Sequence, residues 1–421
     1  MNTPAINIGF ARLSDCAMIA VAKEHGLFEK HGLDVNLIRY KSWAAMRDGL
    51  AHKMIDAAHM LSPMVVASAA GLGPYPGQFT TGFAFNLNGN AITVSNSLLR
   101  HMQSISPESM LQCPLSAKGL KHVVEIRKAT GQPKLVFAHV YHFSMHAYEL
   151  RYWLSAAGID PDEDVELVVV PPAQMVDSLR AKEIDGYCVG EPWNTAAALA
   201  GLGHTLITSS EIWAGHIEKV LAVRSQWADA NEDIHQSLIK ALLEASIWLD
   251  HQDNRVEAAQ LISSSKYVDA PLQDILSSLT GKNRQTGGNL RRDMPDFNIF
   301  HRYAANFPWV SQAKWILTQM VRWNQISSNI DFDKIARLAF RPNVYRQAAL
   351  ELNVATPLID EKIEGSNHHA WILNSASQAI AMGADNFIDG RIFDPQQPEE
   401  YILNFQTDDE FKTSKMPAQV E

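Results

Sequence analysis

Three cysteines, Cys16, Cys113 and Cys188, stand far apart in 421 residues. An odd, sparse set excludes a disulfide framework and fits a reducing compartment. No stretch approaches the roughly 20 consecutive apolar residues of a membrane span. There is no Gly-rich phosphate loop, no His-Glu-x-x-His pair and no Gly-x-Ser-x-Gly turn, so these enzyme signatures are missing. Positive charge is in short supply: 36 Lys and Arg against 46 Asp and Glu, a formal net charge of -10. That balance argues against direct nucleic-acid binding, which needs a cationic face. It is compatible with a local anion pocket, because distant charges are screened by salt. Residues Met1 to Ala5 carry no basic and apolar leader pattern, and the expectation drawn from them is a cytoplasmic chain.

What is present reads as a soluble α/β chain. The apolar fraction of 46% and charged fraction of 19% are ordinary, and the length suits two or more lobes. Ile6 to Phe10 is a short apolar strand. Ser14 or Asp15 can cap the helix that follows from Ala17 to His25. Asp34 to Tyr40 alternates as a second strand, giving a strand–helix–strand opening of the kind that builds parallel sheets. Trp43 to Lys53 reads as a helix, and Asn90 to Ser95 as a strand. The polar stretch from Met102 to Lys118 reads as a crossing between lobes. A second strand–helix–strand unit follows: Lys134 to Val140, a helix from Met145 to Ala157, and Val165 to Val170, stopped by Pro171-Pro172. Leu221 to Arg224 reads as a return strand. The remainder is mostly helical, with Trp315 to Trp323 the clearest amphipathic stretch, and the acidic run Asp408-Asp409-Glu410 opens a tail read as solvated. The expected division is a first lobe over 1–100, a second over 101–205, a return to the first over 206–280, and a mostly helical C-terminal extension over 281–421.

Several segments carry a family resemblance. Ala22-Lys23-Glu24-His25-Gly26-Leu27-Phe28-Glu29-Lys30-His31-Gly32-Leu33-Asp34-Val35 resembles the opening of the type II periplasmic-binding-protein fold. Ser42-Trp43-Ala44-Ala45-Met46-Arg47-Asp48, Asp56-Ala57-Ala58-His59-Met60-Leu61-Ser62-Pro63-Met64 and Asn86-Leu87-Asn88-Gly89-Asn90-Ala91 are similar to segments of nitrate- and bicarbonate-binding proteins. Val170-Pro171-Pro172-Ala173-Gln174-Met175, Gly190-Glu191-Pro192-Trp193-Asn194 and Phe340-Arg341-Pro342 continue the series in order, along nearly the whole chain. The resemblance implies a two-lobed α/β clamp around a small anion, with no catalytic role, no cofactor and no metal.

The same resemblance implies the site. Trp43, Asn90, His146 and Lys219 match the family's pocket residues, Pro171 and Pro172 its pocket wall, and Glu191 with Trp193 a pocket or inter-lobe contact. Two departures stand out. Asn90 replaces a family glutamine and is one methylene shorter, and Phe143-Ser144-Met145 replaces a Gly-Gly-Thr. Nitrate has no proton to donate, so its site should present donors only, which Trp, Asn, His and Lys supply if His146 is suitably protonated. Bicarbonate needs an acceptor as well, and Glu218 and Glu191 keep it open. Leaderless relatives resemble the cytoplasmic nitrate sensors of the NasS type, and that likeness implies a partner, an ANTAR-domain RNA-binding antiterminator of the NasT type, released when nitrate or nitrite binds. The alternative is the substrate-binding component of an ATP-driven nitrate or bicarbonate transporter. His139, His142 and His146 have a spacing open to a metal, but no Cys or paired acid joins them.

Overall fold

The computed structural model describes residues 5–282, 284–286 and 290–408. Met1 to Pro4 and the tail beyond 408 lie outside the described residues. Two five-stranded mixed sheets organise two lobes. The first sheet contains strands β1 Ala5–Phe10, β2 Asp34–Arg39, β3 Ala57–Leu61 and β4 Phe79–Ala84. A two-residue strand β5, Leu87–Asn88, follows, and then the second sheet begins with β6 Asn90–Ser95. Strands β7 Leu135–His139, β8 Val165–Val169, β9 Gly186–Gly190 and β10 Gly203–Thr208 complete it. The chain then returns to the first sheet as β11, Lys219–Arg224. The orders are β2-β1-β3-β11-β4 and β10-β6-β9-β7-β8.

The opening unit shows why these residues fold as they do. β1 and β2 run parallel in register from Ala5 opposite Asp34 to Phe10 opposite Arg39. The connecting helix Ala17–Glu24 buries every residue from Ala17 to Ala22, because it is covered on both sides, by the sheet and by helix Glu232–Asp250. Gly26 ends it at φ +67°, a left-handed turn that glycine adopts without strain.

The two lobes meet at a double crossing. The outward segment 84–90 and the inward segment 216–219 lie side by side. Phe85 N–H donates to Lys219 O at 2.8 Å, Glu218 N–H to Asn86 O at 3.2 Å, and Asn88 N–H to His216 O at 2.9 Å. The expected lobe boundary at residue 100 therefore falls too late: Asn90–Ser95 already pairs antiparallel with β9 and β10 of the second sheet. Alternation identifies a strand but not its partner. The stretch read as a crossing, Met102 to Lys118, holds the end of helix Asn96–Ile105 and the turn Glu108–Leu111 instead.

The C-terminal part touches both lobes. Helix Val310–Arg322 is buried from Val310 to Val321, so the stretch read as amphipathic is covered all round. Its Gln312 accepts from Ile217 N–H at 2.7 Å and donates to Gly215 O at 3.0 Å, bracing the inward crossing. Phe387 stacks on Tyr152 and Trp213 of the second lobe, and Trp315 packs tilted against both, with ring centroids 4.4–6.1 Å apart. Arg341 N–H donates to Thr81 O of the first lobe at 2.8 Å. Among the described residues no helix is long and apolar enough to cross a membrane.

Candidate functional site

Lys219 opens β11 where the inward crossing ends, and it is wholly buried. Its ammonium donates to Glu218 Oε1 at 2.6 Å and pairs with Asp15 Oδ2 at 3.1 Å. Burial pulls its pKa down, but Asp15 and Glu218 more than offset this and hold it above the usual lysine range. The group therefore stays charged at neutral pH. Trp43 lies beside it, with the ammonium 5.6 Å from the ring centroid. Helix Trp43–Ala51 starts there because Ser42 Oγ accepts from Ala45 N–H at 3.2 Å. The Trp43 indole N–H is buried and has no hydrogen-bond partner.

The second lobe supplies the other wall. His146 sits in the first turn of helix Met145–Ser155, wholly buried, with Nδ1 3.5 Å from Glu218 Oε1 and no hydrogen bond at either ring nitrogen. Burial, then the charge of Lys219, holds its pKa well below the ordinary value. It is neutral, so it brings one donor and one acceptor, not the two donors a protonated ring would bring. Asn90, at the outward crossing, donates through Nδ2 to Glu218 Oε2 at 2.7 Å and to Glu149 Oε2 at 3.1 Å. Glu149 lies three residues after His146 on the same helix face. Its Oε1 meets His216 Nε2 at 2.5 Å. Burial, then Glu218, pushes the Glu149 carboxyl well up, and burial raises Glu218 despite Lys219. His59, on β3, has Nε2 3.5 Å from Asp15 Oδ1.

The structure thus gathers Trp43, Asn90, His146 and Lys219 around the double crossing, and adds Asp15, His59, Glu149, His216 and Glu218. The donor-only expectation does not describe this cluster, since the Asn90 amide and the Lys219 ammonium are already engaged by carboxyl groups. Asp15 faces Lys219 and does not cap helix Ala17–Glu24, because a 3-10 turn, Ser14–Cys16, precedes that helix. The one sequence signal for Glu149 was its i, i+3 spacing from His146; for His216 there was none. Glu149, His216 and Glu218 offer ligand atoms within 4.8 Å of one another. The Lys219 ammonium already fills the cation's place against Glu218, so we read the trio as a hydrogen-bonded network built around the Lys219 ion pairs.

Pro171 and Pro172 line an outer cleft of about 280 Å³ with Arg12, Lys41, Gln174 and Trp43. Trp43 thus belongs both to that cleft and to the neighbourhood of Lys219. Glu191 and Trp193 join the lobes: Ser14 N–H donates to Glu191 O at 2.7 Å, and the Trp193 indole donates to Arg12 O at 3.1 Å.

Ser144 positions the histidine. Its Oγ accepts from Ala147 N–H at 3.1 Å and donates to Tyr141 O at 2.6 Å. Ser144→Ala is expected to cost about 0.5–2 kcal/mol of stability. Urea denaturation checks this, and an unchanged midpoint would count against the cap.

Two mixed sheets joined by a paired crossing, with a buried charged cluster in the seam, define the class of two-lobed α/β proteins with the periplasmic-binding-protein fold. The chain belongs to the NMT1-like family, whose model matches residues 1–263. It is 32% identical over 408 residues to the nitrate/nitrite binding protein NrtA of Synechococcus elongatus, covering 94% of this chain and 85% of that one. It is 36% identical over 358 residues to the bicarbonate transport ATP-binding protein CmpC of the same species, covering 83% of this chain and 50% of that protein. The chain spans about half the length of the ATP-binding transport relatives it matches. The crystal structure of the periplasmic nitrate-binding protein NrtA from Synechocystis superposes with a TM-score of 0.82, at 26% identity over 95% of this chain and 98% of that one.

Proposed function

We propose that this chain is a non-enzymatic receptor that holds nitrate or nitrite between its lobes and, in the cytoplasm, controls an ANTAR-domain RNA-binding antiterminator. The observation that carries the anion reading is the Trp43 indole N–H, buried without an acceptor beside a buried ammonium. Trp213, Trp323 and Trp371 also leave an indole N–H unpartnered, so it is the buried ammonium beside Trp43 that makes this orphan donor point to an acceptor ligand. The NrtA relatives support nitrate in particular. The partner rests on the likeness to nitrate sensors of the NasS type, and the net charge of -10 fits control of RNA through a protein and not by direct contact. Transport is the second reading, favoured by the chain-long match to transport components. Bicarbonate is the second ligand, favoured by Glu218, an acceptor at the heart of the cluster.

Nitrate has four heavy atoms, so its binding energy has a ceiling of about -6 kcal/mol, or tens of micromolar. Calorimetric titration with nitrate, nitrite and bicarbonate tests the ligand, and absence of heat from all three would sink the reading. Trp43→Phe keeps the ring but removes the donor, and is expected to weaken nitrate binding by about tenfold, the worth of roughly one hydrogen bond. Co-elution with an ANTAR antiterminator tests the partner: the sensor reading expects a complex without nitrate that dissociates with it. No complex in either condition would favour the transport reading.

A further inference from the structure

We propose that Glu218 decides which anion this site accepts: it takes up a proton when nitrate binds against Lys219, and takes up none when the anion brings an acidic hydroxyl of its own. The inference rests on the anion-receptor reading and adds the proton to it.

The geometry carries it. Glu218 Oε1 lies 2.6 Å from the Lys219 ammonium, the place an arriving oxyanion must share. Around Glu218 stand Lys219 and His216 from its own segment, Asp15 from the turn Ser14–Cys16, and Asn90 from β6. His146 and Glu149 face it from helix Met145–Ser155, Cys188 from β9 by way of Glu149, and His59 from β3 by way of Asp15. Lys219 is the one cation in this group, because the three histidines are neutral. Asp15 already matches its charge at 3.1 Å.

Nitrate offers acceptors only. Placed at the ammonium, one of its oxygens faces a Glu218 oxygen with no hydrogen between them, in a site without bulk water to screen the repulsion. A proton on Glu218 turns that contact into an O–H···O bond and cancels one buried negative charge. The balance is one nitrate and one solvent proton in, with the carboxylate converted to the acid. Bicarbonate differs because its hydroxyl already holds the proton, and it donates to the Glu218 carboxylate as it stands. Asn90 holds Glu218 and Glu149 on one amide, so the second carboxyl reinforces the demand for a proton.

The test is calorimetric titration of the full chain between pH 7.5 and 8.5, in two cationic amine buffers of different ionisation enthalpy. The expected result is uptake of about one proton per nitrate, with affinity falling about tenfold per pH unit across the uptake window. Bicarbonate is expected to bind with no uptake. Glu218→Gln should bind nitrate with no uptake and a flat pH profile. Equal nitrate heats in the two buffers for the wild type would overturn the inference, and so would undiminished uptake in Glu218→Gln. The wild-type buffer comparison decides the matter even if that variant fails to fold. Heat from neither anion would remove the anion-receptor reading itself, a different outcome from heat without protons.

Discussion

Lys219→Met is expected to abolish nitrate binding and to lower the unfolding free energy by about 3–5 kcal/mol. The ammonium is wholly buried and holds two acids, Glu218 at 2.6 Å and Asp15 at 3.1 Å. Methionine keeps most of the volume, so a cavity does not explain the loss. The cost comes from leaving two carboxylates in a buried site without a counter-charge. A double variant, Lys219→Met with Glu218→Gln, removes one of those charges along with the cation. It should recover part of the stability and none of the nitrate affinity. Urea denaturation and calorimetry on the three proteins separate the two effects. A Lys219→Met protein with wild-type stability would show that the pairs contribute nothing.

Acid is expected to unfold the protein well above the ordinary carboxylate range. His139 and His216 are held down to about 3, His59 and His235 to about 4, and His146 well below its usual value, in every case chiefly by burial. Each is neutral in the folded protein and takes a proton near pH 6.5 once unfolded. The unfolded chain then binds more protons, so stability falls as pH falls. The contribution is fully present above about pH 6.5 and is lost progressively down to the folded values, at about 1.4 kcal/mol per histidine per pH unit. Glu149, Glu218 and Glu364, raised chiefly by burial, act in the opposite sense and return some stability as they protonate. The histidines act together below about pH 6.5 and the carboxyls offset part of their effect, so a net loss of stability is expected between pH 6.5 and 5. Urea midpoints at pH 7, 6 and 5 measure it, and a flat series would contradict the neutral-histidine assignment.

Much of the architecture was legible because it is local. The Ile6–Phe10 strand, the helix from Trp43 and the Pro171-Pro172 stop each follow from a short run of residues. The crossing was not legible, because Asn90–Ser95 reads as a strand whichever sheet it joins. Helix Val310–Arg322 was misjudged for a related reason: its charged and polar residues, such as Lys314 and Gln312, are buried against partners from distant segments. Trp43, Asn90, His146 and Lys219 came to notice through family likeness. Of the acids around them, Glu218 was read as an acceptor and Glu149 was not read at all. Asp15 reads as a helix cap, and only the folded chain brings it 3.1 Å from Lys219 across some 200 positions of sequence.

The C-terminal part limits how the two lobes can move. It is fastened to the first lobe at Thr81 and to the second through Tyr152 and Trp213. A strap of this kind favours a limited movement of the seam, and anion binding can shift it only by its difference in affinity between the two arrangements.

Diffraction from crystals grown in sodium nitrate locates the anion. A planar density is expected against Lys219 Nζ within reach of the Trp43 indole, with Glu218 turned to face it. Density confined to the outer cleft near Arg12 and Lys41, with Lys219 still bonded to Glu218, would contradict that placement.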